Sequence, residues 1–191
     1  MLKSLLKFLP WLLGILLALV LGLILLGPLL ISTTSVGGSA APRDLATAES
    51  RFLSLPFPGT QGIDIHYLDR ATETPATDRT FLLLHGFTFN AFTWTPVLPF
   101  FSREGRVLAY DQIPYGLSAK LTAADWRADN PYAKEAAISQ LFAFMDALGV
   151  DRAWLVGNSS GGTLAMEAAL ARRERVAGLI LVAPWVFAQR P

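Results

Sequence analysis

The sequence contains no cysteine, which excludes disulfides, thiolate nucleophiles and cysteine-ligated metal sites. Histidine is nearly as scarce, with His66 and His85 the two copies in 191 residues, so few side chains could act as a proton carrier near neutral pH. Charge is missing from the whole stretch between Lys7 and Arg43, and all 15 acidic residues lie beyond residue 31. With Lys3 and Lys7 set aside, 14 of the 16 basic residues face 15 acidic ones over 32–191, a net charge of −1. That balance gives no electrostatic reason to bind nucleic acid or an anionic surface.

What is present is apolar mass. A hydrophobic content of 52% over 191 residues predicts a folded chain with one globular domain. From Phe8 to Ile31 there are 24 consecutive uncharged residues. A helix crossing about 30 Å of hydrocarbon needs roughly 20 residues, whereas the apolar region of a secretory signal usually has about 7–15. Trp11 to Ile31 therefore fits a membrane span, with Pro10 in its first turn and Pro28 in its last, where a missing N–H costs little. Trp11 suits the interface, and Lys3 and Lys7 place the N-terminus in the cytoplasm and the rest of the chain on the outer side. Two other readings stay open: a buried helix, and a long cleaved signal using the small residues Gly38, Ser39, Ala40 and Ala41, although Pro42 sits awkwardly after that site. We thus expect a transmembrane anchor over 1–31, a Ser-, Thr-, Gly-, Ala- and Pro-rich linker over 32–50, and a domain over 51–191.

From Arg51 onward strand-like and helix-like patterns take turns, the signature of a largely parallel sheet with helices on its faces. Arg51–Pro56 and Ile63–Asp69 could open the sheet as an antiparallel hairpin. Phe81–Leu84, Val107–Tyr110, Ala153–Val156 and Val176–Val182 are continuous apolar runs, as expected of strands buried on both faces. Asn130 and Pro131 read as the N-cap and first residue of a helix that puts Ala136, Ala137, Leu141, Phe144, Met145 and Leu148 on one face and ends at Gly149. A second helix is expected from Ser160 to Arg173, and a third, interrupted by Pro96 and Pro99, over Trp94–Phe101. No internal repeat is found.

Gly157-Asn158-Ser159-Ser160-Gly161 supplies G-x-S-x-G directly after an apolar strand and directly before a helix. A chain that turns abruptly from strand to helix strains the residue at the bend, so the positions two before and two after it must be small. Gly157 and Gly161 meet that need for Ser159. For Ser160 the residue two before is Asn158, whose side chain would clash, so Ser159 is the candidate nucleophile. A phosphate-cradling loop is the competing reading, but the G-K-[ST] ending of a P-loop and the G-x-G-x-x-G of a dinucleotide turn are both absent. The helix starting at Ser160 aims its N–H groups at the place where an oxyanion would form.

Leu84-His85-Gly86-Phe87 ends the Phe81 run, and with the serine motif it resembles the α/β-hydrolase family. The resemblance extends over about residues 60–187. It implies an α/β three-layer sandwich with a mostly parallel sheet, an oxyanion hole made of the Phe87 and Ser160 N–H groups, and supporting roles for His85, Gly86, Gly157 and Gly161. Tyr110–Ser118 is similar to the family's D-x-x-G-x-G-x-S segment, with Pro114 in place of the first glycine. That puts the course of the loop in doubt, and Asp111 is expected to organise it rather than act in catalysis. The family's catalytic order is serine, acid, histidine; after Ser159 the chain offers Glu167, Glu174 and no histidine. His66, in an early strand, reads as a packed or edge residue. We therefore expect an N-terminal part of a serine hydrolase, without its last strands, its catalytic acid and its base, and inactive by itself. Hydrolysis of esters or related carbonyl compounds is the implied activity. Carbon–carbon bond hydrolysis or perhydrolysis on the same scaffold, and a non-catalytic membrane-bound remnant, remain alternatives. Halide displacement is disfavoured, since it uses aspartate at the nucleophile position. The resemblance implies an apolar small-molecule substrate and no metal or organic cofactor. Phe87, Phe89, Phe92 and Trp94 could line an acyl pocket or pack the loop onto the sheet, and Arg172, Arg173 and Arg175 are assigned no function.

Overall fold

The computed structural model describes residues 2–30, 40–71 and 76–186, in two compact units, residues 1–40 and 41–191. In the first unit, one helix, α1 (Leu2–Leu30), contains an 18-residue window, Pro10–Gly27, with mean hydropathy 2.5 and no buried residue. It is long and apolar enough to cross a membrane. Ile31, at the end of the expected span, lies outside the described residues, as do Gly38 and Ser39 and the rest of 32–39, the first part of the expected linker.

The second unit begins before the expected boundary at 51: Pro42–Leu45 forms a 3₁₀ turn and the first strand starts at Ser50. Its six-stranded sheet runs β1 (Ser50–Leu55), β2 (Ile63–Arg70), β4 (Gly105–Tyr110), β3 (Arg79–Leu84), β5 (Ala153–Asn158), β6 (Val176–Val182). β1 and β2 form the antiparallel hairpin, β2 is antiparallel to β4, and all other pairs are parallel. Strand periodicity divides the core in two. Leu82, Leu84, Leu108, Tyr110 and Leu155 face one way, into a cluster with Leu141, Phe144, Leu164 and Ala168 of helices α3 (Lys134–Ala147) and α4 (Ser160–Ala171). Phe81, Leu83, Val107, Ala109 and Val156 face the other way, against Ala91, Trp94 and Leu98. Each such large side chain taken from water contributes about 1.5–3 kcal/mol, and the central strands β3, β4 and β5 are thereby covered on both faces.

Three helix boundaries differ from expectation. α3 starts at Lys134, because Asn130 caps a turn instead: its Oδ1 accepts the Tyr132 N–H at 3.0 Å, and its carbonyl accepts the Ala133 N–H at 3.1 Å. The prolines split the Trp94–Phe101 segment into a 3₁₀ turn, Ala91–Trp94, and a short helix α2, Leu98–Glu104. α4 stops at Ala171, two residues short of the expected end. At the sheet edge, Leu179, Ile180, Leu181 and Val182 of β6 are each 36% or more exposed.

Candidate active site

Ser159 occupies the one residue between the end of β5 and the start of α4. Its backbone sits at φ 50°, ψ −119°, a region that residues with a Cβ avoid at a cost of about 1–3 kcal/mol. Four hydrogen bonds hold it there. The Ser159 N–H donates to the Val182 carbonyl (3.0 Å), and its carbonyl accepts from Gly162 (3.0 Å), Thr163 (3.2 Å) and Trp185 (3.1 Å). The end of β6 thus grips the same residue that caps α4. The flanking glycines have separate reasons to be small. A Cβ on Gly157 would lie 2.5 Å from the Gly162 Cα in the first turn of α4, and one on Gly161 would lie 2.2 Å from the Leu84 carbonyl oxygen at the end of β3. Helix α4, strand β5 and the neighbouring strand β3 can approach only without those side chains.

The loop after β3 comes up beside this bend. A Cβ on Gly86 would stand 3.4 Å from the Ser159 Cβ. Gly86 starts a turn closed by the Phe89 N–H to the Gly86 carbonyl at 3.1 Å, with Thr88 at φ 62°. Among the described residues, neither the Phe87 nor the Ser160 N–H has a hydrogen-bond partner, and the Ser159 hydroxyl makes no bond. Two backbone donors and a hydroxyl are therefore uncommitted around one bend.

Neither histidine is similarly uncommitted. His85 is 1% exposed; its Nδ1–H donates to the Gly86 carbonyl (2.8 Å), and Nε2 accepts the Gln112 N–H (3.0 Å). Burial pushes its pKa below the usual value, outweighing the opposing pull of the Gly86 carbonyl and Asp111. His66, expected as a packed or edge residue, is interior to the sheet and fully bonded. Nδ1 donates to Asp111 Oδ2 and Nε2 meets Ser50 Oγ, both at 2.8 Å, between the rings of Phe52 and Phe92. Asp111 organises its loop in spite of Pro114. Its carboxylate accepts the Ala91 N–H (2.5 Å) and the Leu117 N–H (2.7 Å), while its carbonyl accepts the Ser118 hydroxyl (2.7 Å). The four aromatics divide: Trp94 is buried and Phe92 half-buried in the core, whereas Phe87 and Phe89 are exposed, with Phe87 edge-on to Tyr115 at 5.8 Å. Gln112 and Tyr115, which brace the loop, went unnoticed in the sequence; both stand inside the D-x-x-P-x-G segment, and nothing but that position distinguishes them.

A mostly parallel sheet with its central strands covered on both faces, and with a strained serine bend between a buried strand and a helix, defines an α/β hydrolase fold. The chain belongs to this family: the profile described as alpha/beta hydrolase fold matches residues 79–191. It is 34% identical over 89 residues to 2-hydroxymuconate semialdehyde hydrolase of Pseudomonas sp. (strain CF600), covering 47% of this chain and 29% of that protein. It is 30% identical over 123 residues to haloalkane dehalogenase 2 of Mycobacterium tuberculosis, covering 64% of this chain and 39% of that protein. Among solved structures, a probable hydrolytic enzyme of Pseudomonas aeruginosa PAO1 superposes with TM-score 0.62 at 33% identity, over 71% of this chain and 41% of that one. The chain spans less than half the length of the curated relatives it matches.

Proposed function

We propose that Ser159 is the nucleophile of a serine hydrolase acting on apolar ester-like carbonyl compounds. The observation that carries this reading is the strained Ser159 bend with two unpartnered N–H groups, Phe87 and Ser160, beside a free hydroxyl. In the reaction, Ser159 Oγ attacks the carbonyl carbon as its proton leaves to a base, and the carbonyl oxygen gathers the negative charge. In this reading the two unpartnered N–H groups receive that oxygen, and one such preorganised donor is worth about 3–4 kcal/mol because nothing reorganises. The intermediate then collapses, the alcohol departs with a proton, and water releases the acyl group from Ser159. The base is assigned to no residue of these 191, since His66 and His85 have both nitrogens engaged. The helix α1 is read as a single-pass anchor that keeps the hydrolase unit on the outer side of a membrane.

A second reading, carbon–carbon bond hydrolysis, is favoured by similarity to the semialdehyde hydrolase and to a meta-cleavage product hydrolase, whose mutant structure superposes with TM-score 0.58 at 27% identity. The dehalogenase likeness carries less, because serine stands where halide displacement needs aspartate.

The test supplies the missing base from solution. With p-nitrophenyl butyrate and imidazole, the full chain is expected to acquire one butyryl group on Ser159, seen by intact-mass and peptide analysis, and Ser159→Ala none. Without imidazole, turnover should match the alanine variant, since loss of a triad base costs about 10⁴–10⁶ in rate. No adduct with imidazole present, or equal adduct in both proteins, would sink the proposal.

A further inference from the structure

The Ser50, His66 and Asp111 side chains form a hydrogen-bonded chain in the order of a hydrolase triad, with both links 2.8 Å long. All three residues are buried, and the Ser50 hydroxyl also accepts the Thr47 N–H at 3.0 Å. No substrate carbonyl fits between such groups, so this chain holds something rather than reacts. What it holds is visible at the other end. Asp111 Oδ1 accepts the Ala91 N–H, at the far end of the loop 85–91 that carries Phe87. The next residue, Gln112, holds the near end twice: its N–H donates to His85 Nε2 (3.0 Å) and its side-chain Nε2 to the His85 carbonyl (2.9 Å).

We propose that the adjacent pair Asp111 and Gln112 clamps both ends of the loop 85–91 and so fixes the position of the Phe87 amide, with His66 and Ser50 locking the Asp111 carboxylate. These are positioning residues; none touches the reacting atoms. The first strand of the sheet, through Ser50, thereby helps to set a backbone donor on the loop after the third. The catalytic consequence rests on the oxyanion reading of Phe87, whereas the clamp itself rests on geometry alone.

The full chain in detergent micelles is compared with Gln112→Glu, His66→Phe and His66→Asn. Gln112→Glu keeps the shape but loses the side-chain donor to the His85 carbonyl. His66→Phe suits the surrounding rings of Phe52 and Phe92 but removes both polar links, while the amide nitrogen of His66→Asn can take the place of Nδ1 and donate to Asp111. Hydrogen exchange of the bonded Phe89 and Ala91 amides should speed up by about 10-fold or more in the first two variants, with β5 and α4 protection unchanged. His66→Asn should recover most of the loss, which generic damage to packing would not allow. Unchanged exchange in the loop, or equal loss throughout the domain, would overturn the clamp. If His66→Phe fails to fold, Gln112→Glu, at a half-buried position, decides it.

The acylation assay with imidazole separates this inference from the functional reading. If wild-type Ser159 acquires no acyl group, the oxyanion reading fails and exchange alone judges the clamp. If wild type reacts, Gln112→Glu should react about 10-fold to 100-fold more slowly, part of the effect of losing one oxyanion donor. Equal rates in folded variants would overturn the catalytic consequence.

Discussion

Replacing Ser159 by glycine should stabilise the protein, and replacing it by alanine should not. At φ 50° and ψ −119° the Cβ is the source of strain, at about 1–3 kcal/mol. Alanine keeps that Cβ, and the serine hydroxyl it removes has no partner among the described residues, so Ser159→Ala should lie within about 0.5 kcal/mol of wild type. Glycine removes the Cβ but adds freedom to the unfolded chain worth about 0.4–1 kcal/mol. The net gain expected for Ser159→Gly is about 1 kcal/mol, or about 2–4 °C in melting temperature for a domain of this size. Urea unfolding followed by near-UV circular dichroism, which reports the domain's aromatic core rather than the helix α1, measures the difference at constant slope. A glycine variant no more stable than the alanine variant would show that the bend stores no strain. Gain of stability with loss of the hydroxyl is what a site built for reaction rather than for folding predicts.

Three further outcomes follow from other parts of the molecule. His85 stays neutral in the fold because burial depresses its pKa, so the unfolded chain binds the extra proton. Stability should therefore fall as pH drops below about 6.5, by at most about 1.4 kcal/mol per pH unit from this group, and His85→Asn should flatten that part of the profile in urea titrations between pH 7 and 5. Membranes expressing the chain should retain it through carbonate extraction; soluble protein shortened by about 40 residues would instead indicate a cleaved signal. Ile180→Lys, placing a charge among the exposed apolar residues of edge strand β6, should lower self-association measured by light scattering without changing the melting temperature by more than a degree or two.

The parts of the fold legible in the sequence were those whose signal is local. Phe81–Leu84 of β3, Val107–Tyr110 of β4 and Ala153–Val156 of β5 are continuous apolar runs because these stretches are packed on both faces, and Ser159 with its two glycines is a contiguous pattern demanded by one bend. Helix starts were less legible. Asn130 and Pro131 carry the chemistry of a cap, but the same chemistry closes a turn, and only the following contacts decide which. The buried network was not legible at all. His66 meets Asp111 across 45 positions and Ser50 across 16, and no spacing rule announces such pairs. From the sequence His66 therefore reads as an ordinary packed or edge histidine.

One consequence concerns time rather than geometry. The Ser159 N–H and carbonyl are tied to Val182 and Trp185, at the end of the strand with the least cover. Edge strands fray first, at a small fraction of the free energy needed to unfold a domain. Whenever the end of β6 peels away, the serine loses two of its four backbone ties and its hydroxyl drifts from the amides beside it. On the proposed role of Ser159 as nucleophile, the share of molecules ready to react at any instant is set by how rarely that strand opens, so covering β6 is expected to raise the reactivity of Ser159 without touching it.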